Sequence, residues 1–385
     1  MKKYRTLRRN CFLLLSLVLV SLSLYGCSGS ASTSSGTSGS TNKAGGTDSA
    51  GSAKKEVIKM RIGSGHPAEG TTWIRMVKNY YIPEVNKALE GTNYRIEWSE
   101  SYGGTVAKLG EVLEAVESNL LDMGFIVVPF EPVKMKISNI GYNTPFSSPD
   151  PRIIAKVAMN LVNKYPEFKG EYEKVNQKLL GLGFTESYEL VTNFPVNKIE
   201  DLKGQKIAGA GSNLAWIKPV GAVPVQGGLN DAYQGLQSGL YNGWVMFSGS
   251  TLGFKLHEQA KYFTQVGFGS LIVGGLTINN DKWKKLPKEV QAVIQDVGGK
   301  YTMATAEELK KETEDNLKKM KEQGAIITTF PESEKAKWLE LLPNIPNEYA
   351  QKLNSEKLPG SAILRDYIQG QIDAGYKFPK SYKID

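Results

Sequence analysis

The first clear pattern after residue 56 is an alternation. Ile58, Met60 and Ile62 fall on one face of an extended chain, which predicts a strand. From Thr71 to Leu89, Ile74, Val77, Tyr81, Val85 and Leu89 recur at helical spacing, and Pro83 is expected to kink or break that helix. Tyr94, Ile96 and Trp98 alternate again. Val106, Leu109, Val112, Leu113, Val116 and Leu120 then form an amphipathic helical stripe, and Phe125-Ile126-Val127-Val128 reads as a short buried strand. Strand, helix, strand, helix, strand is the order that builds a parallel α/β layer.

The order then repeats. Lys206 to Gly209 reads as a strand, Ser212 to Val220 as a helix, Val223 to Gln226 as a strand, Leu229 to Leu240 as a helix and Trp244 to Phe247 as a strand. In both copies the second helix runs into a Ser-Asn or Ser-Gly turn (Ser118-Asn119, Ser238-Gly239), which supplies the left-handed residue that stops a helix. A period this long excludes a solenoid and predicts two α/β lobes of one plan. Gly269 to Asn279 reads as a strand leading away from the second lobe. Lys288 to Gln323 reads as mostly helical, broken near Gly298-Gly299, and further helices are expected around Glu334–Leu342 and Ser361–Ala374. In such a fold ligands sit at the carboxyl ends of the strands, in the crevice between lobes.

Charge changes the picture mainly at the N-terminus. The chain has 385 residues and a formal net charge of +8. Lys2, Lys3, Arg5, Arg8 and Arg9 precede an apolar run from Cys11 to Leu24, the order of a secretory signal peptide. That run is shorter than the roughly 20 residues of a spanning helix. Without those five basic residues the charge falls to +3, and no dense Lys/Arg cluster remains, which argues against a nucleic-acid partner. Leu24-Tyr25-Gly26-Cys27 resembles a bacterial lipobox, which implies lipidation of the Cys27 thiol. From Ser28 to Glu56, nine serines and six glycines make a flexible tether with a span on the order of 30 Å. With Cys11 lost and Cys27 acylated, no thiol remains in the folded body. Two histidines, His66 and His257, give no metal-ligand spacing, and His257 reads as part of a solvated helix face. Neither a nucleophile with its base nor a phosphate loop is present, since Gly209-Ala210-Gly211-Ser212-Asn213 lacks the Gly-Lys-Ser/Thr ending. The pattern therefore argues against an enzyme and calls for no metal or cofactor.

Several segments, in order, carry a resemblance: Gly103-Gly104-Thr105, Leu113-Glu114-Ala115-Val116-Glu117, Asp122-Met123-Gly124, Pro145-Phe146, Ile199 to Ile207, Leu229 to Gln237 and Leu286 to Gln291. Together they resemble the DctP-type solute receptors of TRAP (tripartite ATP-independent periplasmic) transporters. The resemblance implies an α/β, bilobal, periplasmic-binding-protein-like fold with strand crossovers and a long bracing helix. It implies a receptor that closes on a small organic solute and delivers it to small and large membrane subunits. A lipid anchor would hold it on the outer face of the cytoplasmic membrane. The expected divisions are a signal over 1–26, a tether over 27–56, a first lobe over 57–185 with 271–310, and a second over 186–270 with 311–385. The hinge is expected near Glu186–Glu189 and Leu271–Gly274. A receptor serving an ATP-driven importer or a sensor would use the same fold and tether.

Where the resemblance implies carboxylate-clamping basic side chains, this chain has Ala208, Tyr188 and Phe130, and Met246 occupies a usually polar position. Two readings stay open. An organic acid would be held by backbone amides of the Gly209–Asn213 turn at a helix N-terminus. Alternatively, an aromatic or apolar solute would sit among Phe130, Tyr188, Trp244, Met246 and Phe247, with His66, Glu131, Ser212 and Asn213 supplying specificity. Gly104, Thr105 and Gly211 complete the candidate contacts. Strand alternation predicts that Trp244, Met246 and Phe247 cannot all face inward.

Overall fold

The computed structural model describes residues 55–385, so the signal, most of the tether and Cys27 lie outside the described residues. Among the described residues, eleven strands form two sheets. They are β1 (Glu56–Gly63), β2 (Tyr94–Ser101), β3 (Met123–Val127), β4 (Gln177–Phe184), β5 (Tyr188–Thr192), β6 (Lys206–Gly209), β7 (Val223–Gln226), β8 (Gly243–Met246), β9 (Tyr262–Gly269), β10 (Ile272–Asn279) and β11 (Ile326–Thr329). The first sheet has the order β2-β1-β3-β10-β4, the second β11-β9-β5-β8-β6-β7. Each is parallel in its early strands (β2-β1-β3, and β7-β6-β8) and gains an antiparallel strand where the chain returns: β10 beside β3 in the first, β5 beside β8 in the second.

The two sheets are joined by a pair of adjacent crossings, β4 to β5 and β9 to β10. They run side by side, with Ile272 opposite Phe184 and Gly269 opposite Tyr188. Between them the Thr185 N–H donates to the Leu271 carbonyl (3.0 Å) and the Ser270 hydroxyl donates to the Thr185 carbonyl (2.6 Å). A third link is the 35-residue helix Lys288–Glu322, roughly 50 Å long at 1.5 Å per residue. It packs on β4, donates from Tyr301 to the Trp73 carbonyl (2.7 Å), and reaches Glu186 through Asn316 (3.0 Å) before the chain enters β11.

That helix is unbroken, contrary to the break expected at Gly298-Gly299. Gly298 instead lies so close to the Leu180 carbonyl, and Gly181 to the Gly298 carbonyl, that neither position has room for a Cβ. The glycines let strand and helix backbones touch. The Thr71–Leu89 segment is helical throughout but opens into a π turn over Val77–Tyr81, immediately before Pro83. A proline ring collides with the carbonyl four residues earlier, and the wider turn relieves it. The stripe from Val106 to Leu120 is helical only over Val112–Glu117, and Val106 and Leu120 are exposed. The expected Ser212–Val220 helix is a 3-10 turn (Gly211–Asn213), a single α turn (Leu214–Ile217) and another 3-10 turn (Lys218–Val220). His257 is buried rather than solvated, with Nε2 2.8 Å from Gln323 Oε1. At the C-terminus, helices Ile345–Ser355 and Gly360–Asp373 pack on each other, and the latter packs on helix Pro151–Lys164.

Candidate ligand-binding cleft

Strands β1, β3, β6 and β8, two from each sheet, point their carboxyl ends at one place. β1 leads to His66, β3 to Pro129 and Phe130, β6 to Ala210 and Asn213, and β8 to Met246 and Phe247, and all of these line one cavity. Trp73, from the first helix, closes one side. Tyr188 and Val273, at the starts of β5 and β10, place the crossings at its base beside Tyr142. The cavity measures about 30 Å³, the space of a water or two, so a larger solute requires the two walls to part. A larger groove of about 520 Å³ along helix Gly360–Asp373 is an open surface trough far from the strand ends.

Seven of the residues singled out from sequence meet here: His66, Phe130, Tyr188, Asn213, Trp244, Met246 and Phe247. The last three all line the cavity because β8 ends at Met246. Phe247 already precedes the next helix, so strand alternation no longer governs it. Gly104, Thr105, Glu131, Gly211 and Ser212 do not line it. Gly104, at φ 81°, donates its N–H to the Ser64 carbonyl (3.1 Å), and Thr105 is exposed and donates to the Tyr102 carbonyl. Glu131 faces the Glu114–Lys134 pair, and burial, with Glu114 adding to it, pushes its carboxyl up to about 7. The Gly211 N–H is engaged by Gln226 Oε1 (3.2 Å), and the helix that follows is one turn long. Within the Gly209–Asn213 turn, the Gly211 N–H is thus not free for an anion. Trp73, Tyr142 and Leu229 also line the cavity without having been singled out. Trp73 sits one position before the helical stripe, where only the partner sheet decides which way it faces.

The cavity is aromatic and uncharged. Among the described residues, no Lys, Arg, Asp or Glu lines it. Trp73 meets Phe247 edge to face at 5.8 Å, Phe247 meets Tyr188 at 5.1 Å and Tyr188 meets Trp216 at 5.8 Å. The same series continues through Phe268 (5.3 Å) to Trp338 (5.2 Å). The Tyr142 and Tyr188 hydroxyls share a 3.0 Å hydrogen bond, and burial keeps both protonated. Four buried polar side chains on the wall have no partner: both His66 ring nitrogens, Trp73 Nε1, Trp244 Nε1, and both polar atoms of Asn213. Burial lowers the His66 pKa to about 4, so its ring is neutral at neutral pH.

The walls also touch one another across the cleft. Asn230 Nδ2 donates to the Gly65 carbonyl (3.2 Å), and the Ser250 hydroxyl donates to the Gly70 carbonyl (2.8 Å). Gly253 lies against Gly70, and Gly211, at φ +63°, against the Pro129 carbonyl, each too close for a Cβ. These four contacts join loops after β1 and β3 to loops after β6, β7 and β8.

Comparison with known proteins gives consistent results. The family model described as bacterial extracellular solute-binding protein, family 7, matches residues 69–352. The C4-dicarboxylate-binding periplasmic protein DctP of Rhodobacter capsulatus is 25% identical over 256 residues, 64% of this chain and 74% of its own. A TRAP solute-binding protein of Rhodoferax ferrireducens, solved with copurified benzoate, gives a TM-score of 0.74 at 13% identity over 83% of this chain and 98% of its own. A Bordetella pertussis extracytoplasmic solute receptor binding pyroglutamic acid gives 0.71 at 17% identity, covering 80% of this chain and 99% of its own. At such identities the solved structures speak to the fold.

Proposed function

Because this chain belongs to the bacterial extracellular solute-binding proteins of family 7, we propose that it is an extracytoplasmic receptor for a small organic solute, serving a TRAP-type transporter. The observation that carries this reading is the cavity at the converging strand ends, roofed by contacts between the two walls. A solute enters when the walls part about the paired crossings Thr185–Ser187 and Ser270–Leu271. It is then enclosed as Gly65–Asn230 and Gly70–Ser250 re-form. The solute favours the enclosed state only by its differential affinity for it. That enclosed face is what the small and large membrane subunits would read.

Cys27 in its lipobox-like setting and the Ser/Gly stretch after it support export and lipid anchoring at the outer face of the cytoplasmic membrane. No helix of the described residues is long and apolar enough to cross a membrane. A Cys27→Ala chain should leave the membrane fraction and lose its acyl mass by intact-protein mass spectrometry. An unchanged distribution would remove the anchor from this reading. The receptor function itself is tested by small-angle scattering with and without a saturating solute: compaction is expected, and identical dimensions would end the closure mechanism.

A further inference from the structure

Resting on the receptor reading above, the geometry points to an uncharged, ring-sized solute, of the class of aromatic amides and nitrogen heterocycles, as the ligand of this cavity. Its walls are flat: Trp73, Phe130, Tyr142, Tyr188, Trp244 and Phe247 all face into it. Planar walls fit a planar ligand by stacked and edge-on contact. Its unpartnered polar groups are four side chains, each nine-tenths buried or more. Trp73 Nε1 and Trp244 Nε1 can only donate, Asn213 both donates and accepts, and neutral imidazole at His66 does one of each.

That set matches a ligand edge carrying an acceptor beside a donor, as an amide or a ring N–H next to a carbonyl does. A carboxylate offers acceptors alone. It would leave the accepting atoms of Asn213 and His66 unmatched and place a negative charge where no cation lines the wall, an arrangement that burial penalises heavily. Ala208, where a guanidinium would neutralise an acid, is fully buried in β6 with Trp244 as its neighbour on β8. The site thus lacks the means to neutralise an acid and has the groups to read a neutral heteroatom pattern.

The test uses the purified full chain in detergent and a bacterial metabolite extract passed over anion and cation exchangers. Native mass spectrometry at pH 7 then shows whether the uncharged flow-through, the acid eluate or the base eluate supplies a bound mass. Benzamide against benzoate, and nicotinamide against nicotinate, give the matched pairs by calorimetry. Retention from the flow-through, with each amide binding at least about tenfold tighter than its acid, is the expected result. Retention only from a charged eluate, or an acid binding as well as its amide, overturns the ligand class while the receptor reading stands. Retention from no fraction removes the receptor reading, and this proposal with it. Trp73→Phe keeps an aromatic ring and removes the N–H together with part of the indole. It should weaken the bound neutral ligand about tenfold. Unchanged affinity would overturn the role of Trp73.

Discussion

The crossing between the lobes and the cavity it leads into both bury polar groups, yet they treat them in opposite ways. At the crossing, Glu186 is buried and fully answered: the Ser248 hydroxyl (2.9 Å), the Gly249 N–H (2.8 Å) and Asn316 Nδ2 (3.0 Å) all donate to it. In the cavity, His66, Trp73, Asn213 and Trp244 are as deeply buried, and their polar atoms are answered by nothing in the protein. A satisfied buried group fixes a structure, whereas an unsatisfied one costs stability and survives where a ligand completes it. The contrast sets the cavity wall apart from the crossing without reference to any relative.

The largest expected break in that contrast is Glu186→Ala. It strands three donors at once, and chemical denaturation should show a loss of about 3 kcal/mol, with the crossing loosened. Next comes pH. Glu189, whose carboxylate accepts the Gly267 N–H, has its pKa raised to about 7, first of all by burial. Folding therefore favours its protonated form. The stabilisation is complete below the ordinary carboxylate pKa and disappears as pH rises through about 7. Melting followed from pH 5 to pH 8 should show a decline to which Glu131 and Glu171, likewise raised to about 7, also contribute, and Glu189→Gln should remove a share on the order of 2 kcal/mol.

The cavity should respond the other way. His66→Phe removes two unpaired nitrogens, so the folded chain should be unchanged or slightly more stable, while solute affinity falls by about 1–2 kcal/mol in calorimetry. A stability loss as large as that of Glu186→Ala would place His66 with the scaffold. The smallest effect is expected from Tyr188→Phe, which removes one hydroxyl–hydroxyl bond to Tyr142 and should cost about 1 kcal/mol of stability.

How far the sequence could be read follows the same division between local and partner-dependent features. β1, β2 and β3 are legible because alternation or a short apolar run is bounded by turn residues, and the residues at their ends led directly to His66 and Phe130. β4 is not, because Gly181 and Gly183 interrupt Lys178-Leu179-Leu180-Gly181-Leu182-Gly183-Phe184 like breakers. Gly298 in the long helix misleads in the same way. One contact explains both: Gly181 and Gly298 meet backbone to backbone, so two apparent interruptions are the two halves of one close approach. In the site, the aromatic residues at the end of β8 were visible from their position. Trp73 was not, because a residue at the edge of a helical stripe is assigned to core or cavity only by what stands opposite. Gly211 and Ser212 show the converse. A glycine before a predicted helix suggests an anion cradle, but the helix collapses to one turn and the glycine serves the close approach to Pro129.

The run of rings from Trp73 through Phe247, Tyr188, Trp216 and Phe268 to Trp338 has an optical meaning as well as a packing one. Three indoles and a phenol stand in one buried line, close enough for excitation absorbed at one ring to migrate to the next. Only the Trp73–Phe247 step of that line crosses between the two walls. Separating the lobes by a few ångströms pulls the Trp73 indole away from its aromatic neighbour and admits water beside it, while Trp216 and Trp338 keep their surroundings. The molecule thus carries its own emission reporter, in which the colour and yield of one indole register the distance between the lobes and no attached dye is needed.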